Sequence, residues 1–330
     1  MKIGIVFAGQ GAQYSGMGKD LYDAYPEARK VFDLAGEQVK EWCFNGDEDT
    51  LKETHITQPT IYTTTMAAYE ALLAEIRNQN LEDKLEVTAL AGFSLGEYSA
   101  LTAAGAIDEY SKGIDIVAKR GTLMKEAGQD AEGNNMGAMA AGLGKRDKIL
   151  EIVEMAREDG ILEGVNFNSP KQTVVAGDKA AVERFCTVAA ENRVKAIPLS
   201  VSTAFHSPMM VPAADKLKDV LMAADLKAPS QTVYADVTAD DIMKDYQGGS
   251  VAEYLTDMLA RQAMSPVYWE EILNRFADNG VKAIIEVGPG HTLSGLTKKT
   301  LKGVAALNVE NVETLKETIA QLKELTEEEQ

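Results

Sequence analysis

Cysteine and histidine are scarce in this chain, and long apolar runs are missing. The 330 residues include two cysteines and three histidines. Cys43 and Cys186 stand far apart, each in a helix-like stretch, which argues against a disulfide framework and against a thiolate metal site. No apolar run approaches the length of a membrane span, and glycine and glutamine interrupt MKIGIVFAGQG too early for a signal-peptide core. Positive charge is also in short supply. Lys plus Arg number 33 against 51 Asp plus Glu, and the formal charge of −18 speaks against nonspecific binding to nucleic acid or anionic membrane. The expectation is a soluble cytoplasmic protein, whose length suits one large domain carrying an insertion or two domains.

What is present is an alternation of strands and helices. Lys2 to Ala8 reads as a strand ending in the glycine-rich turn Gly9-Gln10-Gly11-Ala12-Gln13, and Val281 to Val287 as another ending in Gly288-Pro289-Gly290. Helix-period stretches such as Thr60 to Ile76 and Val251 to Leu259 lie between them, as in a helix-covered parallel sheet. From about residue 135 to 201 the order becomes strand, helix, strand, strand, helix, strand, which is the ferredoxin-like split unit. A subdomain at 129–199 is therefore expected within a core of 1–128 and 200–330. Val312, Leu315, Ile319, Leu322 and Leu325 share one helical face before the acidic end Glu327-Glu328-Glu329, as on a surface helix packed against the body.

The chemistry starts at Gly92-Phe93-Ser94-Leu95-Gly96, between the apolar run Val87 to Ala91 and the helix-forming run Glu97 to Ala104. A strand, sharp turn and helix of this kind make a nucleophile elbow, with Ser94 at its tip. The five residues alone serve a plain turn equally well, and the flanking elements favour the nucleophile. Serine needs a base. His55 lies in a polar segment that suits a surface position, while His291 opens a helix just after a strand, where a ligand contact or a helix-start role fits. His206 lies in the loop that returns to the core, and on the residues alone it leads His291 only modestly. Gln10, Ser94 and His291 all follow strands, so all three could meet at one sheet edge. Arg120 has Ile116, Val117, Leu123 and Met124 as its helical neighbours, and a guanidinium on an apolar face must find an anion. An internal carboxylate is one candidate, and a substrate carboxylate held bidentately is the other.

In chain order, Gly9-Gln10-Gly11-Ala12-Gln13, Thr57-Gln58-Pro59, Gly92-Phe93-Ser94-Leu95-Gly96-Glu97, Arg120, Asn166-Phe167-Asn168-Ser169-Pro170, His206, Arg261-Gln262 and Glu286-Val287-Gly288-Pro289-Gly290 form a set. With them the chain resembles malonyl-CoA:acyl carrier protein transacylases of the discrete bacterial fatty-acid-synthesis type, from Ile3 to about Leu301. The resemblance implies an α/β hydrolase-like core with a parallel sheet and an elbow serine, plus the inserted subdomain. It implies Ser94 as nucleophile and His206 as general base and acid, the imidazole oriented by a main-chain carbonyl near Gln262. Backbone N–H groups of Gln10 and Leu95 would form the oxyanion hole, and Arg120 would bind the malonyl carboxylate. Gln262 would be a further substrate-site residue, Asn166 a wall from the small subdomain, and Phe205 a bulky neighbour that crowds a 2-methyl group.

Malonyl-CoA and acyl carrier protein are the implied partners of a monomeric enzyme in which no metal or redox cofactor has a role. Lys298 and Lys299, with Lys302 nearby and Lys171 as another candidate, would meet an acidic carrier protein, although a solvated helix face explains them equally well. Phe93 and Ala8 depart from the histidine and proline common in the family. A discrete acyltransferase serving a polyketide or malonate-processing system, an esterase-type hydrolase and a noncatalytic carrier-protein binder are the competing readings.

Overall fold

Five parallel strands organise the larger part of the chain. In the computed structural model, which describes residues 1–201 and 203–328, these are β1 (Lys2–Phe7), β2 (Glu86–Gly92), β7 (Val233–Tyr234), β8 (Ala283–Val287) and β9 (Ala305–Val309). Their order is β7-β2-β1-β8-β9. β1 and β8 are nearly continuous apolar runs because helices cover both faces of the sheet. Phe7 is level with Gly92 on one side and with Val287 on the other, so the turns that follow β1, β2 and β8 emerge at one edge.

One boundary differs from the sequence pattern. The helix expected from Thr60 begins at Thr54 and runs to Asn78, with Pro59 inside it. Proline normally disfavours a helix interior. Here the neighbours of Pro59 are buried on every side and the helix packs along Tyr110–Ala127, so tertiary packing outweighs the missing N–H.

A separate antiparallel sheet holds β3 (Gly137–Leu143), β4 (Leu162–Ser169), β5 (Gln172–Asp178) and β6 (Lys195–Pro198), in the order β4-β5-β3-β6. The helices Arg146–Arg157 and Lys179–Glu191 cover it, and Ile149, Ile152, Val175 and Phe185 fill its own core. Three kinds of contact tie this sheet to the larger part. Phe167 N–H donates to Val267 O at 2.9 Å, and Val267 N–H donates to Val165 O at 2.8 Å. Phe167 also stacks on Tyr268 with ring centroids 5.3 Å apart, and Arg146 pairs with both Glu270 and Glu271.

The last helix, Val312–Glu328, buries Leu315, Ile319 and Leu322 against the body. Glu329 of the acidic end and Ser202 of the return loop lie outside the described residues. Among the described residues no helix is long and apolar enough to cross a membrane.

Candidate active site

Ser94 sits where β2 hands over to the helix Gly96–Ala103, and its backbone is left-handed with φ of 53°. A non-glycine residue held there costs on the order of 1–3 kcal/mol, so the surroundings must enforce it. They do so by close approach. A Cβ on Gly92 would stand 1.9 Å from the Gly96 carbonyl, and one on Gly96 would stand 2.2 Å from the Phe7 oxygen. Hydrogen bonds complete the clamp: Phe93 N–H donates to Phe7 O at 3.1 Å, and Ser94 N–H donates to Asp236 Oδ2 at 2.8 Å. The Gln262 Nε2 amide donates to Ser94 O at 2.7 Å.

The structure brings His206 to this serine. Its backbone is also left-handed, with φ of 61°. Nδ1 faces two carbonyl oxygens, Gln262 O at 3.0 Å and Ser265 O at 3.2 Å, and a carbonyl can only accept. The Nδ1 proton is thereby assigned, which leaves the Nε2 lone pair to accept from Ser94 Oγ–H at 2.7 Å. Burial, and then the positive charge of Arg120, depress the imidazole pKa to about 4. At neutral pH the ring is uncharged, with the Nε2 lone pair available as a base.

Arg120 is 1 % exposed and has no carboxylate in ion-pair contact among the described residues. Its partners are neutral: Nη1 donates to Gln58 Oε1 at 3.0 Å, and Nη2 donates to Gln262 Oε1 at 3.1 Å and to Ser94 Oγ at 3.2 Å. The Tyr98 ring lies 5.2 Å from the guanidinium carbon, while Nε has no partner. The internal carboxylate considered from sequence is therefore not in contact with it. A buried cation with only neutral partners, beside a hydroxyl hydrogen-bonded to an imidazole, can receive an anionic ligand.

Two connected chambers open above Ser94. The inner one, of about 140 Å³, is lined by Ser94, Arg120, Phe205 and His206. The outer one, of about 490 Å³, shares Gln10, Phe93 and Asn166 with it and extends to Thr292 and Leu293. Asn166 comes from β4 of the small sheet and leaves its Oδ1 without a partner. The main-chain N–H groups of Gln10 and Leu95 meet no acceptor among the described residues. Phe93 packs edge-on against Trp269, ring centroids 5.4 Å apart, and so fills the elbow position with an apolar side chain.

His291 and His55 take no part in these chambers. His291 is exposed at the start of the helix Thr292–Thr300, and Glu286 already accepts from the Leu293 and Ser294 N–H groups at 2.9 and 2.6 Å. The anion-binding end of that helix is thus occupied by the protein's own carboxylate. His55 lies in the first turn of Thr54–Asn78, 3.9 Å from Glu53. Lys298 and Lys299 lie exposed on the last turn of Thr292–Thr300, with no ion pair among the described residues.

A family model described as acyl transferase domain matches residues 5–325. Malonyl CoA-acyl carrier protein transacylase of Bacillus subtilis is 39% identical over 330 residues, 98% of each chain. The chain belongs to the malonyl-CoA:acyl carrier protein transacylase family. Among solved transacylase structures, the one from Clostridium perfringens aligns with a TM-score of 0.87 at 37% identity, covering 98% of both chains. A malonyl-transacylase in complex with a type II PKS acyl-carrier protein aligns with a TM-score of 0.85 at 33% identity, covering 97% of this chain and 100% of that one.

Sequence reasoning assigned no role to Gln58, Tyr98, Glu97 or Asp236, all of which pack around this transacylase site. Glu97 had a usable signal: it is the one charged residue in the helix Gly96–Ala103, open to the same argument that singled out Arg120. Asp236 gave none, because it follows a strand of only two residues.

Proposed function

We propose that the protein transfers malonyl from malonyl-CoA to the phosphopantetheine thiol of an acyl carrier protein, through a malonyl ester on Ser94. One observation carries the reading: a serine hydroxyl lies 2.7 Å from a neutral imidazole and 3.2 Å from a buried guanidinium that lacks a carboxylate partner. An esterase has no need for that cation.

The chemistry follows from the positions. Ser94 Oγ attacks the thioester carbonyl carbon as its proton passes to His206 Nε2, and the Nδ1–H contacts to Gln262 O and Ser265 O stabilise the imidazolium that forms. The carbonyl oxygen takes the negative charge and accepts from the free N–H groups of Gln10 and Leu95. Collapse breaks the C–S bond, the Nε2 proton goes to the CoA sulfur, and CoA departs. The carrier thiol then gives its proton to His206 and attacks the ester carbonyl. The bond to Ser94 Oγ breaks, and the proton returns to that oxygen. Both ends of the transfer are thioesters, so the reaction is reversible. Side chains and main-chain N–H groups supply every part, and no metal or redox cofactor is assigned a role.

Selectivity rests on two residues. Arg120 leaves Ser94 Oγ to grip the malonyl carboxylate, whereas an acetyl group would leave its charge unpaired. Phe205 in the inner chamber crowds a 2-methyl substituent, a distinction worth roughly 1–3 kcal/mol. Gln262 orients both His206 and Arg120, and Asn166 walls the route taken by the pantetheine arm. We read the architecture as a hydrolase-like core, 1–128 and 200–330, carrying a ferredoxin-like subdomain at 129–199.

The partners and setting are part of the same proposal. Lys298 and Lys299 stand on the helix whose first turn, Thr292 and Leu293, lines the outer chamber, which suits the approach of an acidic carrier. The enzyme is read as a cytoplasmic monomer that supplies fatty acid synthesis. Similarity to a transacylase solved with a type II PKS carrier supports a polyketide carrier as the second reading. The test is to incubate the protein with malonyl-CoA and each type of holo carrier protein, and to measure malonyl on carrier against malonate in solution. Loading of a carrier supports transfer, and the preferred carrier separates the two pathways. Malonate release without loading would indicate a hydrolase.

A further inference from the structure

Directly beneath Ser94 lie two buried carboxyl groups that the transfer mechanism does not use. Glu97 is 1 % exposed and Asp236 is fully buried. Gln262 Nε2 carries two hydrogens but faces three oxygens: Ser94 O at 2.7 Å, Glu97 Oε2 at 3.0 Å and Asp236 Oδ2 at 3.1 Å. One of the three acceptors is always left over. Asp236 Oδ2 also accepts Ser94 N–H at 2.8 Å, and Glu97 Oε2 accepts the Asp236 N–H at 3.3 Å. Among the described residues neither carboxyl has an ion pair. Two full negative charges so close together and out of water cannot both persist, and a shared proton removes one charge while supplying the missing donor.

We propose that Asp236 and Glu97 hold one proton between them and, as a hydrogen-bonded acid pair, position Ser94 and Gln262 for the transfer. Resting on the function proposed above, this makes Asp236 a positioning residue that touches no substrate. Its reach is wide because Gln262 is shared: the Gln262 side-chain oxygen accepts from Arg120, and the Gln262 main-chain oxygen accepts from His206. With one proton the pair carries a single negative charge, which Arg120 favours at a distance without touching it.

The surroundings agree. Burial raises the Glu97 pKa to about 7, and burial followed by the Glu97 charge raises that of Asp236 well above the usual carboxylate range. The titratable groups facing the pair are Arg120 and Tyr98 from their respective helices, with His206 across Gln262. Tyr98 is itself pushed up to about 12 by burial, so it stays neutral and does not compensate a second carboxylate charge. When the shared proton leaves at alkaline pH, the two carboxylates repel and compete for the one Gln262 hydrogen not given to Ser94 O.

The decisive variant is Asp236→Asn. The asparagine oxygen keeps an acceptor for Ser94 N–H, and its amide hydrogens replace the shared proton toward Glu97. Infrared spectra of the wild-type protein at neutral pH should show the C=O stretch of a buried protonated carboxyl, shifted in heavy water and lost in Asp236→Asn. The alkaline limb of kcat should be present in the wild type and absent in Asp236→Asn, whose neutral-pH kcat stays within a few-fold of wild type. Asp236→Ala should lower kcat at least tenfold with little change in KM for malonyl-CoA. An unchanged carboxyl band in Asp236→Asn, or coincident pH profiles, would overturn the proposal. The infrared readout needs no turnover, so it stands apart from failure of the transferase reading itself.

Discussion

Replacing Arg120 by alanine should abolish the preference for malonyl over acetyl, and the size of the effect can be worked from its surroundings. The guanidinium is buried, and its contacts to Gln58, Gln262 and Ser94 are all to neutral oxygens. A bound malonyl carboxylate would be its sole ionic partner. Truncating one member of a buried, hydrogen-bonded charge pair costs roughly 2–5 kcal/mol. At about 1.4 kcal/mol per tenfold, kcat/KM for malonyl-CoA should fall roughly thirty- to several-thousand-fold. Acetyl-CoA has no carboxylate to lose, and without a buried cation to leave unpaired its kcat/KM should hold or rise. The assay is kcat/KM for both thioesters with the same holo carrier protein. The variant also orphans two carboxamide oxygens at roughly 1–3 kcal/mol each, so thermal midpoints are needed to keep the assay below unfolding. Equal loss with both thioesters in a folded variant would refute the reasoning, because it would reduce Arg120 to a structural role.

Other expectations follow from the same geometry. His206 must be neutral to take the Ser94 proton, and its pKa lies at about 4, so kcat/KM should stay level below pH 6.5 and fall only as pH approaches 4. Arg120→Gln removes the second cause of that depression, and the acid limb should move upward in a pH–rate profile. Gly96→Ala places a methyl 2.2 Å from the Phe7 oxygen, so the thermal midpoint should drop and acylation should be lost. Gly295→Ala, where nothing lies within 4 Å on an ordinary helix, should be tolerated and serves as the control. Charge reversal at Lys298 and Lys299 should raise KM for carrier protein more than KM for malonyl-CoA, with the difference shrinking at high salt.

Local patterns made much of this legible. The strand, glycine, serine, glycine and helix order around Ser94 specifies its turn, because both glycines sit where any Cβ would strike backbone. The β-α-β-β-α-β rhythm between 135 and 201 carries its own periodicity, and its elements lie within a few residues of the pattern. Contacts between distant segments were not legible. The two-residue strand before Asp236 is too short to register as a pattern, yet its pairing with β2 sets that carboxyl under Ser94. Gln58 and Gln262 lie far apart in sequence, and only the packing of their helices puts both on Arg120. The helix reaches back past Pro59 to Thr54, beyond the periodic stretch from Thr60, because local propensity counts for less than the buried surroundings of that turn.

The most direct test is to mix the purified protein with malonyl-CoA without carrier, quench in acid, digest and locate the acyl group by mass spectrometry. A malonyl ester on the peptide containing Ser94, absent in Ser94→Ala and discharged by holo carrier protein, is the expected result. A malonyl group on any other residue, or carrier loading that persists in Ser94→Ala, would contradict a serine-linked transfer.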